Sequence, residues 1–380
     1  MLTLRVLFLS GIVATSLLQS LCSDQRKPDR ITETGTLLWH GKPFFPIGIY
    51  NVNHTAAEYR TLAENGFNMI QGMFPGNLDK LMQSLDLALT HGIAVDVPLY
   101  ISDKVQENLA NSLGTIKAVG DHPAVLGWKI LDEPDANYHT PIRDEVPDAY
   151  LALKAAHPKQ LFELTLCQDE SIGYWANYCN IVQIDRYPVP SRPLTDVYDF
   201  CRNAKAAMAS WQTLIFVVQC GWTPDLKTQP TFAQARAMVY LALIAGAKGI
   251  SWYSRQEQDP GGKLVWDLTT SPLWPRLKEI NSEVQSLALP VLQGEEISGI
   301  TSSASGVYAA GKRWQSKLYL LISNPANAPA DVVFTLPPGI RLRSAITVGL
   351  SEHATLDGSN VRVSLGPTDS GTIICEIVGP

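Results

Sequence analysis

The feature that most constrains this chain is a repeat of eight short apolar runs, each followed by a stretch with helical patterning. The runs are Phe44–Val52, Phe67–Phe74, Ile93–Tyr100, Val125–Leu131, Leu161–Cys167, Ile181–Tyr187, Leu214–Cys220 and Gly249–Tyr253. Most are apolar on both faces, as strands buried in a parallel sheet should be. The segments between them carry helix signals. Thr55-Ala-Ala-Glu58 and Thr231-Phe-Ala-Gln234 fit the capping box, Gly66 and Gly92 stand where a left-handed C-cap is expected, and Ser271-Pro272 puts proline at a first helical turn. Eight β-then-α units over residues 31–290 predict a closed (β/α)₈ TIM barrel. A doubly wound open sheet is the alternative. Eight units in a row favour closure, and no GxGxxG or GxxxxGK[ST] loop supports a nucleotide fold.

After Leu289 helical periodicity gives way to short β-rich runs at Gly306–Ala310, Lys317–Ser323, Asp331–Leu336, Ser344–Val348, Asn360–Leu365 and Thr372–Val378. Turn residues separate them, as in Pro337-Pro338-Gly339. Residues 291–380 therefore read as a small antiparallel β-sandwich, a structural or carbohydrate-contacting accessory with few residues suited to chemistry.

Residues 1–23 read as a secretory signal peptide: Arg5, an apolar run from Val6 to Leu21, small residues at Ala14, Ser16, Cys22 and Ser23, then a polar segment from Asp24. An uncleaved anchor is the alternative. No other segment approaches membrane-spanning length, so a secreted or periplasmic protein is expected. Five cysteines then remain, an odd number that leaves at least one thiol free, with Cys179–Cys201 and Cys167–Cys220 as possible pairs. There is no CxxC or HxxxH spacing, so no metal or other cofactor is inferred. The net charge is −6 without a basic stripe, which argues against nucleic acid as a partner.

In such a barrel the active site lies at the C-terminal ends of the strands. The fourth run ends in Gly127-Trp-Lys-Ile-Leu-Asp-Glu-Pro134, the sixth in Gln183-Ile-Asp-Arg-Tyr-Pro188, the seventh in Val217-Val-Gln-Cys-Gly-Trp222 and the eighth in Ser251-Trp-Tyr-Ser254. Trp128 through Pro134 resembles the strand-four signature of clan A glycoside hydrolases, whose Asn-Glu-Pro or Asp-Glu-Pro triplet carries the acid/base glutamate. Gly41-Lys-Pro-Phe-Phe-Pro-Ile-Gly48, Asp185-Arg-Tyr-Pro188 and Trp252 fit the same pattern. The resemblance covers the whole barrel and implies a carbohydrate substrate, with Glu133 as general acid.

The residues agree. Glycoside hydrolysis needs a carboxylic acid held protonated beside the leaving oxygen. Glu133 follows a buried strand and has Asp132 beside it, and burial and like charge both raise a carboxyl pKa. The structural alternative is that Asp132 and Glu133 merely cap the turn before Asp135. Aromatic residues at strand ends, Tyr50, Tyr100, Trp128, Tyr187, Trp222, Trp252 and Tyr253, are suited to flooring a sugar cleft, with Tyr187, Trp222 and Trp252 the favoured ones.

One departure matters. Retaining enzymes of clan A carry a nucleophilic glutamate at the end of strand seven, where this chain has Gln219. Three readings follow. Another carboxylate, from Asp185, Glu257 or Asp259, serves as base or nucleophile. Alternatively, a 2-acetamido group of the substrate attacks its own anomeric carbon, with Asp132-Glu133 as the acid pair and Tyr187 and Gln219 holding the acetamide. In the third reading the barrel binds carbohydrate without cleaving it. A serine hydrolase is disfavoured because no GxSxG elbow exists.

Overall fold

The computed structural model describes residues 27–72, 74, 76–99, 105–136, 145–221, 228–259 and 261–378. The predicted signal peptide and the strand-end residues Tyr100 and Trp222 lie outside them. A short hairpin, β1 (Leu37–Trp39) and β2 (Lys42–Phe44), precedes the barrel. The barrel strands are β3 (Ile47–Tyr50), β4 (Met69–Gln71), β5 (Ala94–Pro98), β6 (Val125–Asp132), β7 (Phe162–Leu166), β8 (Ile181–Asp185), β9 (Thr213–Gln219) and β10 (Ile250–Tyr253). All eight pair in parallel and in chain order, and β10 closes onto β3 through Ile250–Ile47 and Trp252–Ile49. The predicted TIM barrel is thus the fold. Each of the eight apolar runs supplies one strand.

The helices follow their sequence signals with two corrections. Helix α1 (Ala56–Glu64) and helix α2 (Leu78–Thr90) end in Schellman geometry, with Gly66 at φ +80° and Gly92 at φ +67°. Phe67 N–H reaches Leu62 C=O and Ile93 N–H reaches Ala88 C=O, which uses carbonyls the helices leave free. Next come α3 (Val105–Val119), α4 (Val146–Ala156), the single turn α5 (Ile172–Trp175), α6 (Asp196–Ala207), α7 (Phe232–Ile244) and α8 (Trp274–Gln293). The Thr231–Gln234 capping box on α7 is complete. At α1 only half forms: Thr55 accepts from Glu58 N–H, while the Glu58 carboxylate is taken by Arg255 at 2.6 Å. The proline in the first turn of α8 is Pro275, because Ser271-Pro272 still belongs to the preceding turn.

Period-2 alternation along the strands splits the barrel into two faces. The outward residues Val95, Val97, Trp128, Leu164, Val182, Ile184, Phe216, Val218 and Trp252 join the helices in the main core. At the N-terminal end of the barrel, Met69, Ala94, Leu126, Leu161, Ile181 and Ile215 form a separate apolar floor, which Ile31, Leu37 and Phe44 of the leading segment cover. Above that floor the interior is polar, contrary to the expectation of strands apolar on both faces. Gln71, Asp96, Lys129, Glu163, Thr165, Gln183 and Ser251 are all buried there.

Beyond β10 a hairpin of β11 (Gln256–Gln258) and β12 (Leu264–Asp267) leads into α8. The C-terminal strands are β13 (Glu295–Ile297), β14 (Thr301–Ser302), β15 (Tyr308–Trp314), β16 (Lys317–Asn324), β17 (Ala330–Thr335), β18 (Arg341–Val348), β19 (Thr355–Asp357), β20 (Asn360–Leu365) and β21 (Asp369–Val378). They form two antiparallel sheets, β13-β15-β16-β21-β18 and β14-β17-β20-β19, around a core that includes Leu320, Ile322, Phe334, Val361 and Ile373. The six predicted runs correspond to the long strands. The three missed strands, β13, β14 and β19, have two or three residues each, too few to show alternation. This unit touches the barrel helices: Leu321 enters the main core and Tyr240 of α7 meets Thr372 at 3.3 Å.

Candidate active site

Two carboxyl groups meet at the C-terminal mouth. Glu133 follows the last residue of β6, and Asp185 is the last residue of β8. Asp185 is 7% exposed, and its carboxyl lies close enough to that of Glu133 for the two to perturb each other. Two ionised carboxylates so placed repel, which favours a proton on Asp185. Burial foremost, then the charge of Glu133, hold Asp185 well above the ordinary carboxylate range. Asp185 therefore tends to keep its proton.

Glu133 has φ +48°, in the left-handed region. The residue before a proline is normally pushed to extended backbone, so Glu133 departs from its local preference. Such outliers persist where the surroundings over-determine them. Here Glu133 N–H donates to Thr165 C=O at 2.9 Å, and Ala136 N–H donates to Glu133 C=O at 3.0 Å. Asp135 then ties the loop after β6 to the loop after β7. Its carboxylate accepts from Gln168 N–H at 2.9 Å, Cys167 N–H at 3.1 Å and Ser171 Oγ at 2.7 Å. Cys167 lies beside this pair, and its thiol is pushed up by burial, then by the charges of Glu133, Asp135 and Asp185.

Three tyrosines line the same interior. The ring of Tyr187 stacks on Tyr253 at 5.7 Å with an interplanar angle of 23°, and Tyr253 meets Tyr50 edge-on at 5.4 Å. The Tyr253 hydroxyl is hydrogen-bonded to Glu257. Glu257 also accepts from Asn51 Nδ2 at 3.1 Å and from Ser254 Oγ. Glu257 is thus held by donors from the ends of β3 and β10. Asp132 points more to solvent, with a side chain 54% exposed, and accepts from Lys129 Nζ at 3.2 Å.

The structure corrects several expectations. Trp128 and Trp252 are each 0% exposed and face outward under the helices: Trp128 Nε1 donates to Gln160 and Trp252 Nε1 donates to Asn281 of α8. They are core residues, not sugar platforms. Gln219 is 2% exposed, and both ends of its amide are committed to Val189, accepting its N–H at 3.0 Å and donating to its C=O at 2.8 Å. It braces a loop, which fixes the amide against Val189. Asp259 closes the β11–β12 turn by accepting from Gly261 and Lys263 N–H. The five described cysteines, Cys167, Cys179, Cys201, Cys220 and Cys375, are all free thiols, so neither suggested disulfide forms.

Residues that the sequence reading passed over lie directly below the mouth. Lys129 is 5% exposed and meets Tyr50 OH, Thr165 Oγ1 at 2.8 Å, Asp132 at 3.2 Å and Glu163 at 3.3 Å. Glu163 and Asp96 form a second carboxyl pair, in which burial and the charge of Asp96 raise Glu163. Gln183 bridges them to the rest: its Nε2 donates to Gln71 and Glu163, and its Oε1 accepts from Tyr50 OH at 2.9 Å. Among the described residues, no group of three or more His, Cys, Asp or Glu is placed to hold a metal ion.

No protein-family model matches the chain. No curated protein matches it in sequence. Solved structures do share its fold. A maltogenic α-amylase from Thermotoga neapolitana superposes with a TM-score of 0.60 at 10% identity, over 88% of this chain and 99% of that one. An α-amylase from Geobacillus thermoleovorans, complexed with acarbose, gives 0.59 at 13% identity over 84% and 91%. A glycoside hydrolase family 30 subfamily 8 xylanase from Clostridium acetobutylicum gives 0.51 at 12% identity over 87% and 95%. At this identity the shared property is the fold: a closed barrel followed by a β-rich C-terminal unit, in chains that are themselves glycoside hydrolases.

Proposed function

We propose that the chain is a secreted or periplasmic glycoside hydrolase that cleaves an O-glycosidic bond at the barrel mouth, with Glu133 as general acid and Asp185 as its partner carboxylate. The observation that carries this reading is the placement of the Glu133 and Asp185 carboxyls beside each other at the ends of β6 and β8, with Asp185 buried. One proton over two carboxyls is the stoichiometry that glycoside hydrolysis requires. In the reaction the proton crosses to Glu133, which gives it to the leaving oxygen as the glycosidic C–O bond breaks. Asp185, then anionic, forms a bond to the anomeric carbon. Water attacks that carbon in the second step, Glu133 takes the water's proton, and Asp185 leaves. Close approach of the carboxyls speaks against inversion, which needs them roughly 6.5–9.5 Å apart with a water between; retention needs roughly 5–5.5 Å, so the pair parts as the sugar enters between them. Tyr187 and Tyr253 supply aromatic faces for the sugar ring.

Substrate assistance by an acetamide is the weaker enzymatic reading, since Gln219 is occupied by Val189. A carbohydrate-binding protein without turnover is the second reading. It is favoured by the amide at the end of β9, where a retaining enzyme of this type would carry a carboxylate. The deciding experiment is a screen of the purified protein against aryl glycosides and natural glycans, with proton NMR of the first-formed product. Cleavage with retention supports the Glu133–Asp185 route. Binding without cleavage supports the second reading, and neither outcome on any glycan removes both.

A further inference from the structure

A buried cation and two buried carboxyls inside a barrel are costly unless each is paired. The polar layer below the mouth sets Lys129 against Glu163, and this cation faces the site from beneath. Lys129 stands on β6, four residues before Glu133. Downward it pairs with Glu163, which burial and the nearby charge of Asp96 raise. Upward it makes two contacts with groups of the mouth. One is to Tyr50, where the ammonium reaches the hydroxyl and lies 4.3 Å from the ring centroid. The other is to the Asp132 carboxylate at 3.2 Å. Burial acts to depress Lys129, and the phenolic oxygen of Tyr50 with the carboxylates of Asp132, Glu163 and Asp96 outweighs it, so the amine remains charged.

We infer that Lys129 is a positioning residue of the site, one charge that fixes two walls of the mouth together. Through Tyr50 it sets the aromatic wall, because Tyr50 meets Tyr253 edge-on and Tyr253 stacks on Tyr187. Through Asp132 it anchors the residue immediately before the left-handed turn at Glu133. Thr165 links the same two walls, for its Oγ1 accepts from Lys129 at 2.8 Å while its carbonyl takes the Glu133 N–H. The geometry has a direction: ionic pairing lies below Lys129 and orientation of the site lies above it.

The inference rests on the mouth being the glycan site, and its test is arranged to separate the two. Lys129→Met keeps the length of the side chain and removes the charge, and it leaves Glu163 and Asp96 without a cation. The double variant Lys129→Met/Glu163→Gln removes both members of the buried ion pair. Lys129→Met should lose stability, and the double variant should regain most of it. Both should keep kcat/KM low, by up to about 10²-fold, as displacement of a site by about 1 Å produces. If kcat/KM recovers together with the melting temperature, Lys129 is structural only and the inference is overturned. A crystal structure of the double variant gives a readout independent of turnover. The Tyr50 ring and the Asp132 side chain should leave their positions, and both staying in place overturns the inference even if no glycan is ever found to bind. Absence of any glycan ligand for the wild-type protein would instead remove the functional reading and leave the structural result to decide the role of Lys129.

Discussion

Gln219 holds Val189 by both its N–H and its C=O, so the side chain at the end of β9 belongs to the loop after β8. A substitution there changes loop support before it changes chemistry. Gln219→Glu would keep an acceptor for the Val189 N–H and lose the donor for the Val189 carbonyl. An unsatisfied buried polar group costs about 1–3 kcal/mol. The expected outcome is lower stability in denaturant titration and no gain of a nucleophile. A covalent adduct on the introduced glutamate, detected by mass spectrometry with a slow fluorosugar substrate, would contradict this placement.

Glu133→Gln should lower turnover by about 10²–10⁴-fold, the range of general acid work. The fold should survive, because the backbone contacts of Glu133 to Thr165 and Ala136 do not involve its side chain. The loss should be largest on substrates with poor leaving groups. Equal turnover on such a substrate by wild type and variant removes Glu133 from the acid role.

Asp185→Asn separates catalysis from stability. Asp185 titrates higher in the folded chain than in the unfolded one, so the folded state holds an extra proton between the two values. Stability therefore falls as pH rises from the unfolded value of about 3.9 through the folded value. Asparagine has no proton to lose. The variant should be more stable than wild type at neutral pH, on the order of 1 kcal/mol, and nearly inactive. Thermal melts of both proteins at about pH 4 and about pH 7 should show the wild type losing more over that interval. Parallel losses would show that Asp185 carries no raised titration.

Trp252→Ala should behave as a core deletion. The side chain is 0% exposed and its indole N–H is bonded to Asn281 at 3.0 Å. Loss of about 3–5 kcal/mol is expected. Glycan affinity of the surviving fold should be unchanged, and calorimetry beside a melting curve checks both.

The barrel was legible because its outward faces and floor supply Val, Ile, Leu and Phe in every run, and eight such runs in chain order leave few topologies. Parity within a run was harder to read. Trp252 and Tyr253 are adjacent, yet one faces the helices and the other the mouth, and a shift of one residue exchanges the faces. A position at a strand end therefore did not distinguish core tryptophans from site tyrosines. The polar interior carried a weak signal that was passed over. Leu161, Glu163 and Thr165 on one strand, and Ile181, Gln183 and Asp185 on the next, alternate with apolar neighbours. Each polar residue alone looks like an interruption of an apolar run. Lys129, Glu163 and Asp96 come from three strands far apart in the chain, and the pairing of β5, β6 and β7 side by side places them together.

The apolar floor beneath the barrel has a consequence for traffic. Among the described residues, Ile31, Leu37 and Phe44 pack against Met69, Leu126, Ile181 and Ile215, so the lower end presents apolar side chains to the interior. For protons and water bound for Glu163, the polar links run upward through Gln183 and Tyr50, toward the mouth that a ligand would occupy. A bound ligand would then act as a stopper on these links, and the protonation of Glu163 would stay as it was when the ligand arrived.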